Sequence, residues 1–171
     1  MNRKRFLSIC VLITAMFGLI LASYPFIANW APNAKSHKVI EIDIASIPPG
    51  GSKLFEWRGK PIVFYKPSLE SSQYLIALNN KANGPDYNLD NLPDFFIYEF
   101  LSTHLGCMLL DTGPEGHKSY KLVGYWDPCH RGFWDYAGRL LSPIHGGEGL
   151  EDLRVVNDYK WISKSVIRIN D

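Results

Sequence analysis

The run Phe6–Ile27, 22 residues without a charge, constrains this chain more than any other feature. An α-helix needs about 20 apolar residues to cross the hydrocarbon core of a bilayer. Arg3, Lys4 and Arg5 precede the run, and basic flanks stay on the cytoplasmic side, which puts the rest of the chain on the outer, periplasmic side. The expected organisation is a basic cytoplasmic N-terminus over 1–5 and a single-pass, uncleaved anchor in the inner membrane over 6–27. A cleaved signal peptide is the alternative, for which the run is long. Tyr24 and Trp30 suit the membrane interface. Pro25, Pro32 and the small polar residues around them favour a tether or hinge over 28–38.

A soluble domain is expected over 39–171. Lys and Arg (18) nearly cancel Asp and Glu (17), so no global charge argues for nucleic acid as a partner. Many aromatics, 14 Gly and 11 Pro suit a β-rich domain with frequent turns. Val39–Ile47 alternates apolar and polar residues as a strand does. Lys53–Tyr65 reads as two strands with a turn at Arg58–Pro61, where Gly59 serves the reversal. Lys66–Pro93 has weak patterning and holds an Asn-, Gly- and Pro-containing loop. Asp94–Ser102 and Tyr120–Asp127 read as strands, and the tail beyond Leu153 as two or three more. Short strands separated by turns predict a mainly β, antiparallel sandwich or small barrel.

The strands ending at Ser102 and Asp127 each run into a loop with one histidine and one cysteine: "STHLGC" (Ser102–Cys107) and "DPCHRG" (Asp127–Gly132). Gly106 and Gly132 relax the backbone for tight loops. Cys107 and Cys129 are an even pair that would join the loops in an oxidising compartment, worth roughly 3 kcal/mol in the chain-entropy picture. Cys10, in the apolar run, reads as a small hydrophobe. His117 and His145 read as surface loop residues, and His37 lies in the tether. Two imidazoles and a carboxylate, His104, His130 and Asp127, suit a mononuclear zinc or iron ion.

These loops, in this order, resemble those of the Rieske iron–sulfur proteins, the membrane-anchored subunits of cytochrome bc1-type quinol:cytochrome c oxidoreductases. "YPFIANWAPNA", the opening strands, "THLGC", "PCH", "WDYAGR" and "NDYKWISKSVIRI" fall where that family has counterparts, and "RKRFL" resembles its twin-arginine export signal with Lys4 for the second arginine. The resemblance implies a Rieske-like β-sandwich with a loop-bearing cluster subdomain over 101–147. It also implies a place in the respiratory electron transfer chain, with cytochrome b and cytochrome c1 as partners and a quinol contact through His104, His130 and Leu105. In that family two cysteines and two histidines hold a [2Fe–2S] cluster, and the remaining two cysteines form a disulfide. Carried over, His104 and His130 match the histidine ligands, and Cys107 and Cys129 match the disulfide.

Ser102 and Asp127 stand at the two thiolate positions. Arg131 replaces a glycine, Gly132 a serine whose hydroxyl would serve a cluster sulfide, and Trp134 a tyrosine that would serve a ligand sulfur. The proline loop is reduced to "SPIHGG" (Ser142–Gly147), with Pro143. Iron–sulfur clusters need soft thiolates. Changes concentrated in the cluster shell read as a paralogue without the cluster, acting as an accessory or structural subunit whose own redox activity is doubtful. The alternatives are a [2Fe–2S] cluster held through Ser102 and Asp127 oxygens, and the mononuclear site.

Overall fold

The computed structural model describes residues 2–30, 39–141 and 149–169. Pro32 and His37 of the tether, and Pro143 and His145 of the reduced proline loop, lie outside these residues. The chain forms two compact units, Met1–His37 and Lys38–Asp171.

The first unit is one helix, α1 (Arg3–Trp30). Its stretch Arg3–Ile27 is long and apolar enough to cross a membrane. Val11, Leu12, Ile13 and Leu21 lie on different sides of the helix and are all exposed. A helix that is apolar all round asks for an apolar surrounding.

Among the described residues, the second unit holds nine strands, all paired antiparallel, in three small sheets. One sheet has β1 (Ile40–Asp43) beside β9 (Val166–Ile169), and β9 beside β8 (Tyr159–Trp161). The second orders β2 (Ser52–Trp57), β3 (Lys60–Tyr65) and β4 (Phe96–Glu99). The third, nearer the two loops, orders β5 (Leu110–Asp111), β6 (Tyr125–Trp126) and β7 (Phe133–Trp134). Strand β3 explains the layering. Ile62 and Phe64 enter one core cluster with Ile42, Ile167 and Ile169 of the first sheet. Val63 and Tyr65 point the other way, into a cluster with Tyr125 and Trp134 of the third. A strand covered on both faces must be apolar throughout, which is why "IVFY" does not alternate. The turn between β2 and β3 has Arg58 at φ 49° and Gly59 at φ 73°, the left-handed pair that matches the strand twist of a two-residue hairpin.

Three sequence expectations change. The poorly patterned stretch after Lys66 contains helix α2 (Leu69–Ala77). Ser68 caps it, accepting from the Ser71 amide while the Ser71 side chain accepts from the Ser68 amide. The long strands read at Tyr120–Asp127 and Asp94–Ser102 shorten to β6 and β4, the residues that pair in a continuous ladder; Leu101 adds an isolated bridge to Met108. His117 is also more than a surface residue: half-buried, its ring lies against Tyr120 and Trp126, with centroids 4.8 and 4.6 Å away.

One buried ion pair ties α2 to the third sheet. Arg139 is 2% exposed. Its Nε donates to Asp135 Oδ2 at 2.8 Å, and its two terminal nitrogens reach Asn79 Oδ1, the Pro85 carbonyl and the Leu75 carbonyl near the end of α2. Asp135 Oδ1 accepts from the amides of Ala137 and Arg139. Burial outweighs the guanidinium and the two amides, and the Asp135 carboxyl is raised to about 6. Removing one partner of such a pair strands the other charge in the interior. Asp135→Ala is therefore expected to lower stability by about 3–5 kcal/mol, measured by denaturant unfolding of the chain in detergent; a loss below about 1 kcal/mol would contradict this role.

Candidate cluster-type site

The two loops are built to the same plan. In the first, the Ser102 amide donates to the Cys107 carbonyl at 2.8 Å and the Gly106 amide to the Ser102 carbonyl at 3.1 Å. In the second, the Asp127 amide donates to the Gly132 carbonyl at 2.9 Å and the Arg131 amide to the Asp127 carbonyl at 2.9 Å. Each loop thus closes from its first residue to its sixth and from its fifth back to its first. Ser102 and Asp127 are equivalent anchors at the two necks, and both are buried.

The plan also assigns Gly106 and Arg131 the same place. Gly106 has φ 73° and Arg131 φ 60°, so the fifth position of each loop demands left-handed backbone. Glycine adopts it freely; a residue with a Cβ does so at a cost. Gly132 serves another purpose than the one read from sequence. Its φ is not positive, but a Cβ there would stand 2.5 Å from Trp134 Cη2 and 2.7 Å from Leu150 Cδ1. It is a matter of room.

A disulfide joins Cys107 to Cys129, with Cα atoms 6.5 Å apart, and so ties the loops together. The ring centroids of His104 and His130 lie 4.7 Å apart, nearly perpendicular. Leu105, at the tip between His104 and Gly106, is 71% exposed. The structure therefore brings together all four family ligand positions, the disulfide pair and the tip residue.

Asp127 is the most constrained member. Its side chain is fully buried. Oδ1 accepts from the Cys129 amide at 2.8 Å, and Oδ2 lies 3.2 Å from His130 Nδ1. Burial raises its pKa, but the Ser102 hydroxyl, the Cys129 and His130 amides and the His130 ring together outweigh burial and hold the carboxyl below the usual carboxylate range. Ser102 Oγ is buried without a hydrogen bond of ordinary geometry.

Contacts to residues outside the two loops complete the frame. Thr103 Oγ1 donates to the Glu151 carbonyl at 3.0 Å and accepts from the Glu151 amide at 2.9 Å. Trp134 Nε1 donates to the same carbonyl at 2.8 Å. Trp134 thus spends its donor on the backbone at Glu151. The pairing of Thr103 with Glu151 was not legible in the sequence, where nothing in the spacing links residues 48 positions apart.

These donors do not fit a [2Fe–2S] cluster of the Rieske type. The two thiolate positions carry a hydroxyl and a carboxylate, and the carboxylate is already engaged by its own loop. Cys107 and Cys129 are bound to each other. The space beside Gly132 is taken by Trp134 and Leu150. Arg131→Gly is expected to raise stability by about 1 kcal/mol through relief of left-handed strain, read as a shift of the denaturation midpoint; a destabilised variant would show that the arginine side chain carries a compensating contact.

No family model matches the chain. In sequence it is similar to the cytochrome b-c1 complex subunit Rieske, mitochondrial, of Theropithecus gelada, with 34% identity over 109 residues, 61% of this chain and 37% of that protein. It is similar to the protein of the same name of Gallus gallus, with 34% identity over 105 residues, 59% of this chain and 36% of that one. The match thus spans little more than a third of the length of these relatives. A solved structure titled Hyperthermophilic respiratory Complex III aligns over 94% of this chain and 98% of its own, with 20% identity and a TM-score of 0.48, a likeness too distant to argue from. In sequence, then, the chain is similar to Rieske subunits of cytochrome b-c1 complexes over about three-fifths of its length.

Proposed function

We propose that the chain is a membrane-anchored, cluster-free Rieske-type component of a bc1-type quinol:cytochrome c oxidoreductase, acting as an accessory or structural subunit. The observation that carries this reading is the state of Asp127. At the position where the relatives' fold would call for a free thiolate, both carboxylate oxygens are committed within the loop, one of them to His130 Nδ1. A ligand set of two thiolates and two imidazoles has no counterpart here, and soft iron–sulfur chemistry is poorly served by a hydroxyl and a paired carboxylate. An oxygen-ligated cluster through Ser102 and Asp127 would have to break that pairing.

The parts that serve assembly are retained. Helix α1 supplies the anchor, with Arg3, Lys4 and Arg5 on the cytoplasmic side and the domain on the outer, periplasmic side. Leu105 is exposed at the tip of the first loop, and Met108 is exposed just beyond its neck; these are the apolar side chains offered for contact here. Cytochrome b and cytochrome c1 are the partners this surface and anchor would meet, with Leu105, His104 and His130 facing the quinol pocket.

Two measurements test the reading separately. Chain purified from its own membrane is expected to carry neither iron nor acid-labile sulfide in stoichiometric amount, while equal stoichiometric iron and sulfide would overturn the cluster-free assignment. Gentle detergent extraction through a tag on the chain is expected to bring with it b- and c-type haem absorbance; a chain that elutes alone, without haem, would remove the assignment to the complex.

A further inference from the structure

The second loop carries more donor groups than the family ligand positions account for. One donor atom from each of Cys107, Asp127, Cys129 and His130 lies within 4.8 Å of the other three. While the disulfide stands, the sulfurs are spent on each other and the group offers one carboxylate and one imidazole. Reduction changes its chemistry. Two thiolates, an imidazole and a carboxylate make a four-donor set suited to a tetrahedral, thiophilic divalent cation such as zinc.

The geometry is close to what such an ion needs. Bond lengths of about 2.3 Å to sulfur and about 2.0–2.2 Å to nitrogen and oxygen put tetrahedral donors roughly 3.3–3.8 Å apart. The sulfurs have to move apart from bonding distance, and the widest pair has to close by roughly 1 Å. Two of the four donors are already set. Asp127 Oδ1 stays fixed by the Cys129 amide, and the ion takes the place of the contact between Asp127 Oδ2 and His130 Nδ1, which its binding breaks. Cys129 is exposed and Cys107 half-buried, so a reductant can reach the bond.

We propose that Cys107, Asp127, Cys129 and His130 form a redox-gated site for a zinc-like cation, closed by the disulfide and opened by its reduction. A dithiol opens it by exchange. The bond between Cys107 and Cys129 breaks, two electrons pass to it, the dithiol becomes a disulfide, and its two protons complete the protein thiols. The cation then replaces those two protons, which leave to solvent. The inference is independent of membership in any respiratory complex, because it uses only groups within the two loops.

The test uses the full chain in detergent, reduced by a phosphine, which becomes its oxide with oxygen from water as the two thiols form. Cobalt(II) is the probe, because tetrahedral thiolate ligation gives it intense visible bands. The reduced chain is expected to bind one cobalt ion, displaced by zinc, and the oxidised chain none. Cys107→Ser with Cys129→Ser should abolish the bands. His130→Ala should weaken binding by more than the roughly 10–100-fold that loss of a mere outer partner costs, with circular dichroism confirming the fold. The proposal falls if the reduced chain shows no bands, if the oxidised chain binds equally, or if His130→Ala leaves affinity unchanged. It falls equally if reduction unfolds the domain and zinc does not restore it.

Discussion

A carboxylate with no access to water must be paired within the protein, and Asp127 meets that demand inside its own loop. The Cys129 amide and the His130 ring take its two oxygens, and its own amide and carbonyl close the loop to Gly132 and Arg131. The conformation of the loop, the orientation of His130 and the place of Cys129 in the disulfide all depend on this one side chain. A thiolate there would leave the histidine nitrogen free; the carboxylate keeps it occupied. One residue thereby serves as the internal support of a loop that, in a Rieske cluster, would be supported by metal.

The neighbouring substitutions read as a single adjustment around that support. Trp134 turns its donor to the Glu151 carbonyl and its ring toward Gly132, so a serine at 132 has no space and the tryptophan no sulfur to serve. Thr103 holds the same stretch of backbone from the other loop. The disulfide closes the assembly from the side. What remains is a rigid pair of loops, with Leu105 exposed at the tip and two histidine rings in contact behind it. Rigidity of that kind suits a surface that docks, with or without an electron to carry.

Much of the fold was legible in the sequence because its signals are local. The uncharged run at Phe6–Ile27, the Gly59 turn and the alternation of Ile40 and Ile42 with Glu41 and Asp43 each state their own conformation. Helix α2 was not legible: its buried residues are Ser72 and Leu75, too little apolar periodicity to stand out, although the Ser68 and Ser71 cap was present. Strands β5, β6 and β7 are two residues each, shorter than any alternation can reveal. In the site, the residue types were visible and the pairings were not. That Asp127 holds His130, that Arg139 reaches Leu75 and that Gly132 yields room to Trp134 are facts of chain placement, decided by contacts far apart in sequence.

The central claim concerns what lies between His104 and His130. Anomalous diffraction at the iron absorption edge, from crystals of chain purified natively from its membrane, addresses it directly. The account predicts no anomalous peak between the two histidines, with His130 Nδ1 still bonded to Asp127. A pair of iron peaks at that position, with the Asp127 contact broken, would contradict it.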